Sequence, residues 1–207
     1  MFLSLQFWLP AKTLPPRLVA SGPLRVRSDY RPSRPANASG AQVCSAEAAA
    51  TYGPLFFQGE YFWFNIDRSA NTGLSPVGGP SLNFQGGYAQ GSYVLTGETH
   101  AYNPASGAYS ATEPANPFSL QGGGRGAWEI AGRVSTIDLN DKLWTTTGTA
   151  GGRQTIYTAG LNWYVNDNIR FMLNYLHGDI SKQATSTSAV NTGSRFDAVA
   201  MRTQFAF

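Results

Sequence analysis

Apolar and polar residues alternate with period two along the last part of the chain, and that alternation predicts β-strands. In AWEIAGRVSTID (127–138), Trp128, Ile130 and Val134 share one face, and Glu129, Arg133 and Ser135 share the other. In TIYTAGLNWYV (155–165), Tyr157, Ala159, Leu161 and Trp163 alternate with Thr158, Gly160, Asn162 and Tyr164. In NIRFMLNYLHG (168–178), Ile169, Phe171, Leu173 and Tyr175 alternate with Arg170, Met172 and Asn174. The final FDAVAMRTQFAF sets Val199, Met201, Phe205 and Phe207 opposite Ala198, Ala200, Arg202 and Gln204. Two more candidates come earlier: the aromatic LFFQGEYFWFNI (55–66), after the turn Tyr52-Gly53-Pro54, and NFQGGYAQGSYVLTG (83–97). Alternating segments of about ten residues have the length a tilted strand needs to cross a bilayer core.

The connectors alternate too. Val165-Asn166-Asp167-Asn168 reads as a tight hairpin turn, whereas 139–154 and 180–195 are long, polar and rich in Thr, Ser and Gly. Short turns on one rim and long loops on the other are the pattern of bacterial barrels. Parity then puts 67–82, 139–154 and 180–195 on one rim, and 53–54 and 165–168 on the other. The Gly- and Pro-rich stretch 98–126 must join the second group despite its length. A soluble β-sandwich with a binding or structural role also alternates faces. It accounts less well for Trp and Tyr near strand ends on the apolar face. The two differ in where that face points: outward to lipid in a barrel, inward in a sandwich.

Composition agrees with short strands and turns. Gly is abundant at 23 residues, aromatics reach 13% and charged residues only 13%, about half the usual share. No run of 18 apolar residues occurs, so no transmembrane helix is expected. Alternation keeps the mean hydropathy of a barrel low, here −0.23. The charge is unevenly placed. Residues 1–43 carry six basic residues and one acidic, 6 − 1 = +5, and the remainder nine basic and eleven acidic, 9 − 11 = −2. The basic balance therefore belongs to the first segment and implies no nucleic-acid surface on the folded part.

Residues 1–43 have six prolines interleaved with Arg and Ser and no periodicity. They read as a disordered leader or a segment not native to the fold, with residues 44–207 as the ordered part. Pro10 cuts the opening apolar run and no basic residue precedes it, which argues against a secretory signal.

Catalytic chemistry finds little support. GGGRG (122–126) precedes a strand rather than a helix and lacks a following Lys-Ser/Thr pair, so it reads as a turn. Glu98 and Glu113 lie in a loop with no placed partner, and no GxSxG elbow occurs. The lone Cys44 forms no intrachain disulfide. His100 and His177 are too few and too separated for a metal site, and read as ordinary loop or interface side chains. The chain is expected to be no enzyme and to hold no cofactor or metal.

Several words in order resemble the phosphate-selective porins O and P of Gram-negative outer membranes. They are YGPLFFQGEYF (52–62), YVLTGETHAYNP (93–104), GRGAWEIAGRVSTIDLND (124–141), GGRQTIYTAGLNWYVNDNIRFMLNY (151–175) and the terminal FDAVAMRTQFAF. The resemblance runs from about residue 46 to 207. It implies an all-β antiparallel meander, about seven strands of a larger trimeric barrel passing small anions such as phosphate. Its partners would be the lipid bilayer and the barrel-assembly machinery. By this reading the chain is a truncated fragment, with homotrimer formation tied to a complete barrel. The pore-lining candidates are Glu60, Glu129, Arg133, Arg170, Asn174 and Arg202, all on the polar parity. These residues by themselves assign no continuous arginine ladder.

The terminal strand carries a prediction. A terminal aromatic on an alternating strand, here Phe207 with Phe205 behind it, resembles an assembly signal read by strand addition. A peptide of the last twelve residues should bind the assembly machinery, and both Phe207→Ala and a short polar extension should weaken binding. If the extension leaves binding unchanged and Phe207→Ala alters only membrane partitioning, Phe207 is an interface anchor and not a signal.

Overall fold

A computed structural model describes residues 4–5, 19–21, 38–68, 81–103, 108–145 and 148–206, and all regular structure there is β. The strands are β1 (Ser4–Leu5), β2 (Val19–Ser21), β3 (Ala38–Tyr52), β4 (Leu55–Arg68), β5 (Leu82–Val94), β6 (Tyr102–Asn103), β7 (Ala108–Tyr109), β8 (Ala127–Asp141), β9 (Thr149–Tyr164), β10 (Ile169–Ser181) and β11 (Ser194–Phe205). One sheet runs β1-β2-β3-β4-β5-β8-β9-β10-β11, each neighbour antiparallel. The pair β6–β7 is a small hairpin within the β5–β8 connection. Seven long strands thus form an antiparallel meander, as the alternation implied. Among the described residues β11 pairs only with β10, so the sheet is not closed into a barrel.

The rims of the described connections fall as parity requires; of the expected loop 67–82, residues 69–80 lie outside the described residues. The turns 53–54 and 165–168 and the connection 95–126 share one rim, the turn rim. Connections 142–148 and 182–193 lie at the other, the loop rim, where Arg68 also donates to Thr149 Oγ1 at 3.3 Å. At the turn 165–168, Asn166 Oδ1 accepts from the amides of Asn168 and Ile169, both at 2.9 Å, an Asx arrangement that reverses the chain at once. The expected loop 139–154 is shorter in fact, because 149–154 joins β9. Its residues read as loop, yet Thr149 and Ala150 complete the ladder past a register shift at Asp138/Asn140, where Gly151 and Gly152 stand unpaired with β8. The strand β3 has small residues in place of alternation, and its partner β4 sets its register. It begins at Ala38, ahead of the 43/44 boundary. The rest of the leader lies outside the described residues apart from β1 and β2, and so does Phe207.

The pleat gives the sheet two unlike faces. The outer face shows exposed apolar side chains, with Val199 72% and Met201 77% exposed beside Leu161, Leu173, Ile130 and Val134. A sandwich would pack these inward. The few buried hydrophobic residues among those described include Phe56, Val94, Ala127 and Tyr164, near the turn rim on the opposite, inner face. On the outer face near that rim, Trp128, Trp163 and Phe171 stand opposite one another, with Trp128–Trp163 centroids 5.3 Å and Trp163–Phe171 centroids 5.7 Å apart. Toward the loop rim the same face passes through Tyr157 and Tyr175 into ion pairs, Arg153–Asp138 at 2.7 Å and Arg195–Asp179 at 2.9 Å. Aromatic rows at both ends of an apolar band, then charge, are the profile of a surface facing lipid.

The 95–126 connection re-enters the sheet through Gly126, whose φ is +68°; a Cβ there would lie 2.3 Å from the Tyr164 carbonyl oxygen. Gly126→Ala should therefore lower unfolding stability in detergent by about 1–3 kcal/mol. Gly132→Ala, where an added methyl meets nothing within 4 Å, is the control and should leave it nearly unchanged.

Candidate functional site

The inner face is the candidate site, because it carries the polar parity of every long strand and the 95–126 connection folds against it. Two of its arginines, Arg133 and Arg170, are held by neighbours. Arg133 on β8 lies over the Tyr88 ring at 3.9 Å and donates to Gln90 Oε1 at 3.2 Å. Gln90 passes the chain of bonds to Gln58 at 3.0 Å, and Gln58 to Glu47 at 2.8 Å. Those bonds cross β8, β5, β4 and β3 at one level of the sheet. Arg170 on β10 donates to Gln204 Oε1 at 2.6 Å and to the Tyr164 hydroxyl at 3.5 Å, with its guanidinium 5.4 Å from the Tyr164 ring centroid. A guanidinium stacked on a ring and bonded at one edge keeps its charge and leaves other donors to meet a solute.

Register sets the arginines at successive positions. Arg170 pairs across from Tyr164, Arg202 from Met172 and hence Asn162, and Arg133 from Thr158. From Arg170 to Arg133 is six residues along β9, about 20 Å at the usual strand rise. Asn174 stands between them and lines a cavity of about 290 Å³ with Glu129, Arg133 and Arg170. Glu60 faces inward too, directly across from Glu47 on β3 and Tyr88 on β5.

Glu129 shares the polar parity but is nearly buried, at 3% exposure. Its Oε2 accepts from the Tyr164 hydroxyl at 2.6 Å and from Asn162 Nδ2 at 2.9 Å, and its Oε1 lies 2.8 Å from His100 Nε2. His100 comes from the connection, where Phe56 packs on it with ring centroids 5.0 Å apart. The structure therefore covers Glu129, while Arg133 and Arg202 are exposed and Glu60, Arg170 and Asn174 half-buried. Sequence reading missed Glu47, Gln58, Gln90, Tyr88, Tyr164 and His100 as members of the site. Parity would have found Gln58, Tyr88, Gln90 and Tyr164, but not Glu47, because β3 shows no alternation and takes its register from β4. Nothing local marks His100, because its partner is 29 positions away.

Removing Glu129 leaves three donors facing a buried gap. Glu129→Leu should cost about 3–5 kcal/mol of unfolding stability, the usual loss when one member of a buried charged pair is deleted. Chemical unfolding in detergent micelles measures it; a loss under 1 kcal/mol, of the order of a surface substitution, would show that water already serves these donors.

Three comparisons bear on the identity of this two-faced sheet. The family model of phosphate-selective porin O and P matches residues 32–207. An uncharacterized protein of Caulobacter vibrioides is 38% identical over 129 residues, 62% of this chain and 23% of that protein. Porin O of Pseudomonas aeruginosa is 27% identical over 169 residues, 80% of this chain and 35% of that protein. The chain thus spans between about a quarter and a third of the length of these curated relatives.

Proposed function

The chain belongs to the phosphate-selective porin O and P family, and from that premise we propose that it forms part of the wall of a passive outer-membrane pore for small anions such as phosphate. The observation that carries the reading is the division of one sheet into an apolar, aromatic-edged outer face and an inner face with arginines at staggered register positions. An anion entering such a lumen exchanges part of its hydration shell for guanidinium donors. Contacts at several stations, none enclosing the ion, favour entry without trapping. The tethers on Arg133 and Arg170 keep the cations on the wall, so the positive potential does not depend on mobile side chains. Glu129 is paired with His100 and opposes it less than an exposed carboxylate would.

In this reading the partners are the lipid bilayer, the barrel-assembly machinery and the further strands that complete the barrel, with a homotrimer as the assembly of complete barrels. A sheet with open edges leaves backbone groups unpaired in lipid, each costing several kcal/mol. Conduction is accordingly a property of a closed barrel and not of this open sheet.

The test uses protein expressed in a Gram-negative host, extracted from its outer membrane in mild detergent and separated by size. Multi-chain fractions in planar bilayers should conduct with an anion-selective reversal potential under a salt gradient, and the monomer fraction should give no uniform, long-lived channels. Arg133→Glu combined with Arg170→Glu should move the reversal potential toward cation selectivity. Cation-selective wild-type channels, or a reversal potential unmoved by the double substitution, overturn the anion reading. Uniform channels from the monomer overturn the need for an assembly.

A further inference from the structure

The β5–β8 connection covers the inner wall at the turn rim, and the way it is held has a consequence for pH. At the rim itself it is fastened by neutral contacts. The Phe118 amide donates to the Val165 carbonyl at 2.8 Å, Trp163 Nε1 donates to the Arg125 carbonyl at 3.0 Å, and the Phe118 and Trp163 rings meet at 5.4 Å. On the inner wall one polar link from the connection is His100. Its Nε2 is 2.8 Å from Glu129 Oε1, its Nδ1 is 3.1 Å from the Ser110 carbonyl oxygen, and Thr112 Oγ1 is 3.5 Å from Nε2.

Counting protons shows what this geometry demands. The Ser110 carbonyl only accepts, so His100 Nδ1 must donate to it. A carboxylate only accepts as well, so Nε2 must donate to Glu129. Both ring nitrogens then carry hydrogen, and the imidazole is cationic. The alternative places that proton on Glu129 and lets Nε2 accept it. The Tyr164 and Asn162 donors on the other carboxylate oxygen favour the ionised form. Either way one proton lies between His100 and Glu129. Without it a ring lone pair faces an oxygen lone pair, at Glu129 or, after a tautomer change, at Ser110. We propose that this shared proton latches the β5–β8 connection onto the inner wall, and that its loss at alkaline pH loosens the connection, by breaking the His100 bond to Glu129 or, after a tautomer change, the bond to the Ser110 carbonyl that ties the ring into the connection.

The surroundings support a latch that holds at neutral pH. Burial pulls the His100 pKa down, while the hydrogen bonds to Glu129 and the Ser110 carbonyl, with the Glu129 charge, push it up. Arg170 on β10 pulls it down, and the net position is above the ordinary 6.5. From the other elements, Tyr164 on β9 and Glu47 on β3 line the same space with Arg170, Tyr109 of the connection does so too, and Glu129 is the facing group on β8. A pKa raised by folding gives a contribution fully present below the unfolded value, and lost as pH rises through the folded one. The latch is therefore closed in acid and opens on the alkaline side of an ordinary histidine. What its opening does to flow rests on the pore reading; the latch itself does not.

The experiment follows amide exchange of the full chain in detergent micelles between about pH 5.5 and 9.5, a range bracketing ordinary histidine titration. Protection factors are compared, so that the intrinsic pH dependence of exchange divides out. The Ser110 and Ala115 amides, bonded to the Ala101 carbonyl and to Glu98 Oε1 within the connection, report the latch. Strand amides of Leu161 and Leu173 report the sheet. In the wild type, protection of the reporters should fall at least about tenfold across the range, the scale of a lost charged hydrogen bond, with the strand amides level. His100→Gln keeps a donor toward Glu129 that does not titrate, and its protection should be independent of pH. Glu129→Gln offers an amide to the neutral imidazole and should hold protection into alkali. Wild-type reporters that stay level, or that fall alike in wild type and His100→Gln, overturn the latch. Because no conduction is measured, failure here leaves the anion-pore reading untouched, and failure of that reading leaves the latch standing.

Discussion

Every feature of this protein depends on an unbroken antiparallel ladder across the apolar band. In hydrocarbon no water can serve a stray amide or carbonyl, so each strand must find its partner along its whole buried length. The ladder shows where that rule applies. From Ile169 to Ile180 β10 pairs with β11 residue for residue, and β9 pairs with β10 without a break. The two register shifts among the described residues, at Ala38/Gly40 and Asp138/Asn140, both lie at the loop rim. That rim is where the outer face has already turned to ion pairs and an irregular backbone can be solvated. A slip of one residue anywhere between would carry Arg133 or Arg170 to the apolar outer face and Ile130 or Leu173 to the polar inner face.

The same register aligns the two faces in height. Trp128, Trp163 and Phe171 fall on one cross-strand line because β8, β9 and β10 are locked there. The residues one step away, Arg170, Tyr164 and Ala127, form the inner layer beneath the connection. An interface anchor on the outside and the cover of the inner wall are consecutive positions of the same strands. Packing on one side cannot be adjusted without moving the other.

On the inner face, like charges and unpaired groups are managed by long polar relays. Glu47 and Glu60 stand directly opposite each other, an arrangement that is unfavourable by itself. Gln58 donates to Glu47, and the relay through Gln90 ends on the Arg133 guanidinium, which draws the acidic patch toward a cation three strands away. Glu129 is handled differently, by burial with Tyr164, Asn162 and His100. Arg133 and Arg170 therefore stand on the inner face with Glu47 and Glu129 already engaged.

The sequence alone determined the strands β8 to β11, the turn at Asn166, the rims on which the connections fall, and the inward parity of Arg133, Arg170, Arg202, Glu60 and Glu129. These follow from the pleat, a local property with period two that a single strand displays by itself. Tertiary structure alone decided the rest. The alanine-rich β3 shows no alternation and takes its register from β4; residues 149–154 look like loop and become strand because β8 offers them a ladder. The cover over Glu129 depends on His100, which meets it only after the connection folds back across the wall. Contacts between residues far apart in the chain leave no period in the sequence, since they are set by how a finished sheet and its connection pack.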